Sequence, residues 1–118
     1  MTAAPPPLPP WLTVSTAPAV LDGRVCRTRA AFFEEVARAL RLPGYFGRNW
    51  DALTDCLRGT GRVALVVEHA EDLLAAEPPE QFALLLTVLG EADLTLTLHT
   101  DPEHEAPLRR RVADALDS

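Results

Sequence analysis

Two aspartates, Asp51 and Asp55, stand four residues apart in the stretch GYFGRNWDALTDCL, residues 44–57. In a helix that spacing sets both carboxylates on one side, a single turn apart. Like charges so placed cost a helix about a few tenths of a kcal/mol. The arrangement raises the question of what, on the other side of a contact, makes that spacing worth keeping. At about 100° per residue, Trp50, Ala52, Leu53, Cys56 and Leu57 cover an apolar arc. Asp51, Thr54, Asp55 and Arg58 cover the opposite arc, so both acids face solvent from a packed helix. Asp51 has a simpler reading, because an acid in a first turn is favoured by the helix dipole. Asp55 lies further in, and its simpler reading is an i,i+3 ion pair with Arg58, worth little at a surface. The preceding loop adds Tyr45, Phe46 and Gly47. Rigid aromatic bulk beside charge is the composition of an interface hot spot. Phe46 reads as cover for the end of the core, while Tyr45 fits either cover or contact.

Other groups suggest weaker chemistry. Cys56 with His69 has the residue types of a thiol nucleophile and base, but Cys56 falls on the apolar arc and reads as a buried thiol. The run HTDPEHE gathers His99, Asp101, His104, Glu103 and Glu105, oxygen and imidazole donors of the kind that hold divalent metals. Without regular spacing it reads as an exposed acidic turn. No Gly-rich phosphate loop occurs. Neither a metal nor a cofactor is implied.

The elements that must hold the acids follow from punctuation and periodicity. Asn49 caps a helix from Trp50 to about Arg58, with Gly59 as its stop. Before it, Thr28 caps a helix to about Leu40 with Phe32, Val36 and Leu40 as its inner stripe, and Pro43 and Gly44 break the chain. AVLDG, residues 19–23, reads as a short strand ending in a turn, and WLTV, residues 11–14, as an extra strand. RVALVVE, residues 62–68, is a continuous run rich in β-branched residues, the pattern of a strand buried on both faces. A short helix near residues 71–76 follows. Pro78 and Pro79 open another, with Phe82, Leu85, Leu86 and Leu89 inward, ended by Gly90. LTLTLHT, residues 94–100, alternates as a half-buried strand. APLRRRVADAL, residues 106–116, predicts a C-terminal amphipathic helix with Leu108, Val112 and Leu116 on one face. Strands separated by helices predict an α/β fold with a parallel sheet.

The whole chain bounds the function. Its 118 residues fit one domain, residues 11–118, behind a flexible Pro-rich tail, residues 1–10. The formal charge of −6 disfavours contact with phosphate backbones, so direct nucleic-acid binding is not expected. A basic protein partner would be attracted and steered. Two cysteines do not make a disulfide scaffold. With no visible signal peptide and no apolar run of membrane-spanning length, a cytoplasmic location without membrane contact is expected. A monomer is expected when no partner is bound.

LPGYFGRNWDALTDCLRG, residues 42–59, resembles the signature segment of the barstar family, intracellular inhibitors of barnase-type ribonucleases. The order of elements over roughly residues 19–100 is similar too. The resemblance implies a three-stranded parallel sheet packed against helices, here with an extra C-terminal helix. It implies no enzyme activity of its own. It implies an immunity-type or antitoxin role, with a secreted basic ribonuclease as partner. By position, Asp55 matches the aspartate that enters the ribonuclease active site in place of a substrate phosphate. Asp51 matches its neighbour that pairs with basic groups there. Tyr45 and Gly47 match loop residues of the interface, and Asn49 the residue that starts the helix. Thr54 stands at an interface position where the family has a tryptophan, and Thr60 where it has another. A family glutamate late in the last helix falls on Leu86 by ungapped counting, or on Glu91 with a shift. The implied mechanism is stoichiometric occlusion, with helix-borne carboxylates as phosphate mimics. The alternative is an interaction module of the same fold that does not inhibit a ribonuclease.

Overall fold

In a computed structural model, residues 7–12, 18–60, 63–92 and 94–117 are described. Thr13, Val14 and Arg62 lie outside them, as do residues 1–6 of the tail and the side chain of Thr60. The elements run β1 (Ala19–Asp22), α1 (Arg29–Ala39), α2 (Trp50–Thr60), β2 (Val63–Glu68), α3 (Pro79–Glu91), β3 (Leu94–Leu98) and α4 (Pro102–Leu116). Short 3-10 turns follow β1 at Gly23–Val25 and β2 at Ala70–Asp72. The three strands form one parallel sheet in the order β1-β2-β3. Leu21 pairs with Val67, and Val67 with Leu98. An α/β fold with a three-stranded parallel sheet and a C-terminal helix is thus the architecture.

Side chains in a strand alternate between faces, and here only one face is covered. Leu21, Leu65 and Val67 are buried in a single cluster with Phe32, Phe33, Val36, Leu53, Leu57, Phe82, Leu85 and Leu89 of the helices. Their neighbours point the other way. Val20 is 52% exposed, Ala64, Thr95 and Thr97 are exposed, and Val66 is half-buried. The expectation that β2 is buried on both faces is therefore corrected: among the described residues no helix covers the second face. Apolar continuity misled, because small Ala64 and half-buried Val66 tolerate an open face.

Close approach fixes one glycine. A Cβ on Gly23 would sit 2.1 Å from the His69 carbonyl oxygen, so the turn after β1 has room for no side chain. His69 itself is left-handed, with φ 50°. The sheet ladder runs on past β2, where the His99 N–H donates to the Val67 carbonyl at 2.8 Å and the Ala70 N–H to the His99 carbonyl at 2.9 Å.

Several boundaries differ from the sequence pattern. Thr28 caps α1 as expected, its Oγ1 accepting from the Ala31 N–H at 3.2 Å. Gly59 does not stop α2, which continues to Thr60, and α3 passes Gly90 to end at Glu91. Leu86 is only half-buried, and Val88 takes a core position instead. The helix expected near residues 71–76 shrinks to the 3-10 turn and a run of turns. Trp11 and Leu12 lie in a turn closed by the Leu12 N–H to the Pro9 carbonyl at 3.0 Å, not in a strand.

The largest shift is at α4. It begins at Pro102, not near Ala106, because Asp101 caps it through the His104 N–H at 3.0 Å. Pro107 sits inside the helix, where it forfeits one intrahelical bond. Leu108 is buried and Val112 packs partly buried against the core, but Leu116 is 69% exposed. Beside them the Arg111 guanidinium lies over the Phe82 ring, 4.0 Å from its centroid, and burial pushes its pKa down. Cys26, not Cys56, is the fully buried thiol; burial pushes it up to about 11. Both cysteines are free.

Candidate functional site

Helix α2 owes its position to its first residue. The Trp50 ring packs against Phe33 at 4.9 Å and Phe32 at 5.7 Å between centroids. Its Nε1–H donates to Gln81 Oε1 of α3 at 3.0 Å. The start of α2 is thus tied to two other helices by one side chain with an apolar body and a polar tip. Leu53 and Leu57 bury the next turns. Asn49 caps the helix, its Oδ1 accepting from the Ala52 N–H at 2.7 Å.

With the apolar arc so anchored, the polar arc is presented to solvent. Asp51, in the first turn, is exposed. Asp55 follows one turn later, its side chain 77% exposed. Arg58 Nη1 stands 3.7 Å from Asp55 Oδ1 and is itself 76% exposed. The local ion pair anticipated from the i,i+3 spacing therefore exists, but it is loose and wet. Asp55 thus leaves most of its side-chain surface open to solvent. Thr54 is half-buried, and its Oγ1 donates to the Trp50 carbonyl at 3.0 Å. That bond satisfies the hydroxyl within the helix.

The loop before α2 divides its two aromatics. Phe46 is 3% exposed and meets Phe33 edge-on at 6.0 Å. Tyr45 is 86% exposed, which decides a question the sequence left open: it is not core cover. Gly47 is exposed, and a Cβ there would come within 3.3 Å of Asn49 Nδ2. A side chain at this position would press on the amide that caps α2. Tyr45, Gly47, Asn49, Asp51, Thr54 and Asp55 thus fall on the loop 43–49 and the first two turns of α2.

Arg48 and Glu34 are residues that sequence reasoning did not single out. Arg48 has φ 54° and pairs with Glu34 of α1. No motif marks a contact between residues on either side of a broken helix. An arginine just before an Asn cap gives no local signal.

The other constellations stay apart from this surface. No hydrogen bond joins Cys56 to His69 among the described residues, and Cys56 is half-buried rather than buried. HTDPEHE is not a loop throughout: Pro102, Glu103, His104 and Glu105 form the first turn of α4. There His104 Nδ1 lies 2.7 Å from Asp101 Oδ1. That hydrogen bond holds the Asp101 carboxyl below the usual range and raises the imidazole above it. Donor atoms of Glu71, Asp101 and His104 lie within 4.8 Å of one another. Glu71 already accepts from the Thr100 hydroxyl at 2.7 Å. A cavity of about 640 Å³ lined by Glu77, Glu80, Phe82 and Arg111 includes no residue of α2 or the loop before it. No described helix is long and apolar enough to cross a membrane.

The site thus sets two exposed carboxylates of one helix face near an exposed aromatic of the preceding loop. Residues 16–106 match the family described as Barstar (barnase inhibitor). The match takes in β1, the whole of the loop and α2, and ends inside α4.

Proposed function

Since the chain belongs to the barstar family, we propose that it inhibits a basic, barnase-type ribonuclease by stoichiometric occlusion. One observation carries this reading. Asp51 and Asp55 are offered to solvent by a helix whose other face is locked by Trp50, Leu53 and Leu57. Asp55 would stand where a substrate phosphate binds, and Asp51 would pair with neighbouring cations. Tyr45 and Gly47 would shape the docking surface, with Asn49 holding the junction between loop and helix. Because α2 is already ordered, little conformational freedom is lost on binding. The net charge of −6 adds attraction toward a basic partner. The place of action is the cytoplasm of the cell that makes the nuclease, where the inhibitor serves as an immunity protein.

A second reading is favoured by Thr54. A small half-buried side chain whose hydroxyl is spent on the Trp50 carbonyl provides no aromatic anchor between the two acids. Hot spots are commonly aromatic, so the same surface would also suit an interaction module that binds without blocking a ribonuclease.

Titration into a ribonuclease assay separates the two. Inhibition of a barnase-type enzyme that is complete near equimolar ratio is the expected outcome. Binding with undiminished turnover would establish the module instead.

A further inference from the structure

The loop 43–49 carries Tyr45 and Gly47, yet it has no helix or strand to hold it. Its order comes from side chains. The Phe46 ring is buried, and the Phe46 N–H donates to the Pro43 carbonyl at 2.9 Å. Arg48 is left-handed, φ 54°, a conformation uncommon for a residue with a Cβ. From that position its guanidinium reaches two acceptors. Nη1 donates to the Phe46 carbonyl at 2.9 Å, and Nε to the Glu34 carboxylate on α1. On the other side, Asn49 Nδ2 donates to the Gly47 carbonyl at 3.2 Å. The carbonyls of the two peptide units that flank the Gly47 Cα are therefore each held by a side chain.

We propose that Arg48 is a positioning residue of the docking surface, tying the Phe46 carbonyl to Glu34 of α1 so that Tyr45 and Gly47 stand ready before a partner arrives. The inference rests on reading that surface as the site of docking. Arg48 acts through the loop and not through its charge. Both side chains of the pair are about half exposed, 47% for Arg48 and 60% for Glu34. Such a pair adds little to global stability, so its effect belongs to loop order and affinity.

Two variants of equal charge isolate the contact. Glu34→Gln removes the charge and keeps an oxygen acceptor for Arg48; Glu34→Ala removes both. Backbone ¹⁵N order parameters of residues 44–47 are measured on the unbound full chain. In Glu34→Ala they are expected to fall from about 0.85 toward 0.6, and to stay near the wild-type value in Glu34→Gln. Affinity for a barnase-type ribonuclease should then drop about three- to tenfold in Glu34→Ala and less than about twofold in Glu34→Gln. Arg48→Lys keeps the charge but lacks the planar fork that serves two acceptors, and it should resemble Glu34→Ala. Equal affinity losses in the Ala and Gln variants would assign the effect to charge and overturn the proposal. Unchanged order parameters in Glu34→Ala and Arg48→Lys would overturn it whatever the partner. A wild-type chain that fails to bind the ribonuclease would sink the proposed function, while the order parameters still decide the clamp.

Discussion

Asp55 separates a structural from an inhibitory use of the same carboxylate. Among the described residues its ion-pair partner is Arg58, at 3.7 Å across a solvent-exposed gap. A structural aspartate there would lose a little stability on truncation and no affinity. An inhibitory one would lose affinity and no stability. Asp55→Ala should weaken ribonuclease binding by about 2–5 kcal/mol, the cost of leaving one member of a desolvated charge pair alone. The same change should move unfolding by no more than about 0.5 kcal/mol, as for exposed positions without special contacts. Relief of the Asp51–Asp55 repulsion would even favour the variant slightly. Thermal unfolding and inhibition measured on this single variant decide the matter, and full inhibition would remove the phosphate-mimic role. Tyr45 belongs with Asp55 in this respect. A phenol left 86% exposed beside a buried phenylalanine stabilises no fold by its own burial.

Among the elements, α2 and α4 show opposite relations to the core. Helix α2 is fixed at its first turn by Trp50, so its acids inherit a rigid base. Helix α4 is fixed at its own start, by the Asp101 cap and buried Leu108, and leaves Leu116 exposed at its end. Its contact with the body runs through Leu108, Arg111, Val112 and Ala115, whereas Leu116 projects outward. Val112→Asp should therefore cost about 1–3 kcal/mol, since it brings an unpaired charge against apolar neighbours. Leu116→Asp, one turn further on, should stay within about 0.5 kcal/mol. Chemical denaturation of the two variants tests this gradient, and equal losses would mean that the last turn is docked. Inhibition should be retained in Leu116→Asp, because α4 contributes no residue to the proposed docking surface.

At the scale of the whole molecule, the sheet faces two ways. Among the described residues all buried hydrophobic side chains join one cluster, on the helix-covered face of the sheet, and the other face carries Val20, Ala64, Val66, Thr95 and Thr97. Parallel sheets are usually covered on both sides. Here short strands and small or polar outward residues limit the apolar area left open. Charge acts at the same scale. A net −6 with Asp51 and Asp55 exposed would make approach to the proposed basic partner a long-range event. Association should slow markedly between low and physiological salt, where the screening length shrinks to about 8 Å, while dissociation changes less. Stopped-flow mixing at a series of salt concentrations measures both rates. An association rate indifferent to salt would leave steering without support.

The sequence alone determined what depends on local chemistry. Thr28 and Asn49 cap where an oxygen precedes a helical pattern, Asp51 and Asp55 share a face because helical spacing requires it, and the order of strands and helices follows from periodicity. The signature at residues 42–59 marked the family by the same linear logic. Contacts between distant residues were decided only by the tertiary structure. Gly59 and Gly90 do not end their helices, which each run one residue further, and α4 begins at Pro102 instead of near Ala106. Continuous apolarity in β2 could not say that only one face finds a partner, since covering a face is a property of other elements. The same holds for Arg48 and Glu34. Their meeting depends on how α1 and the loop before α2 lie together, and no local propensity encodes that separation.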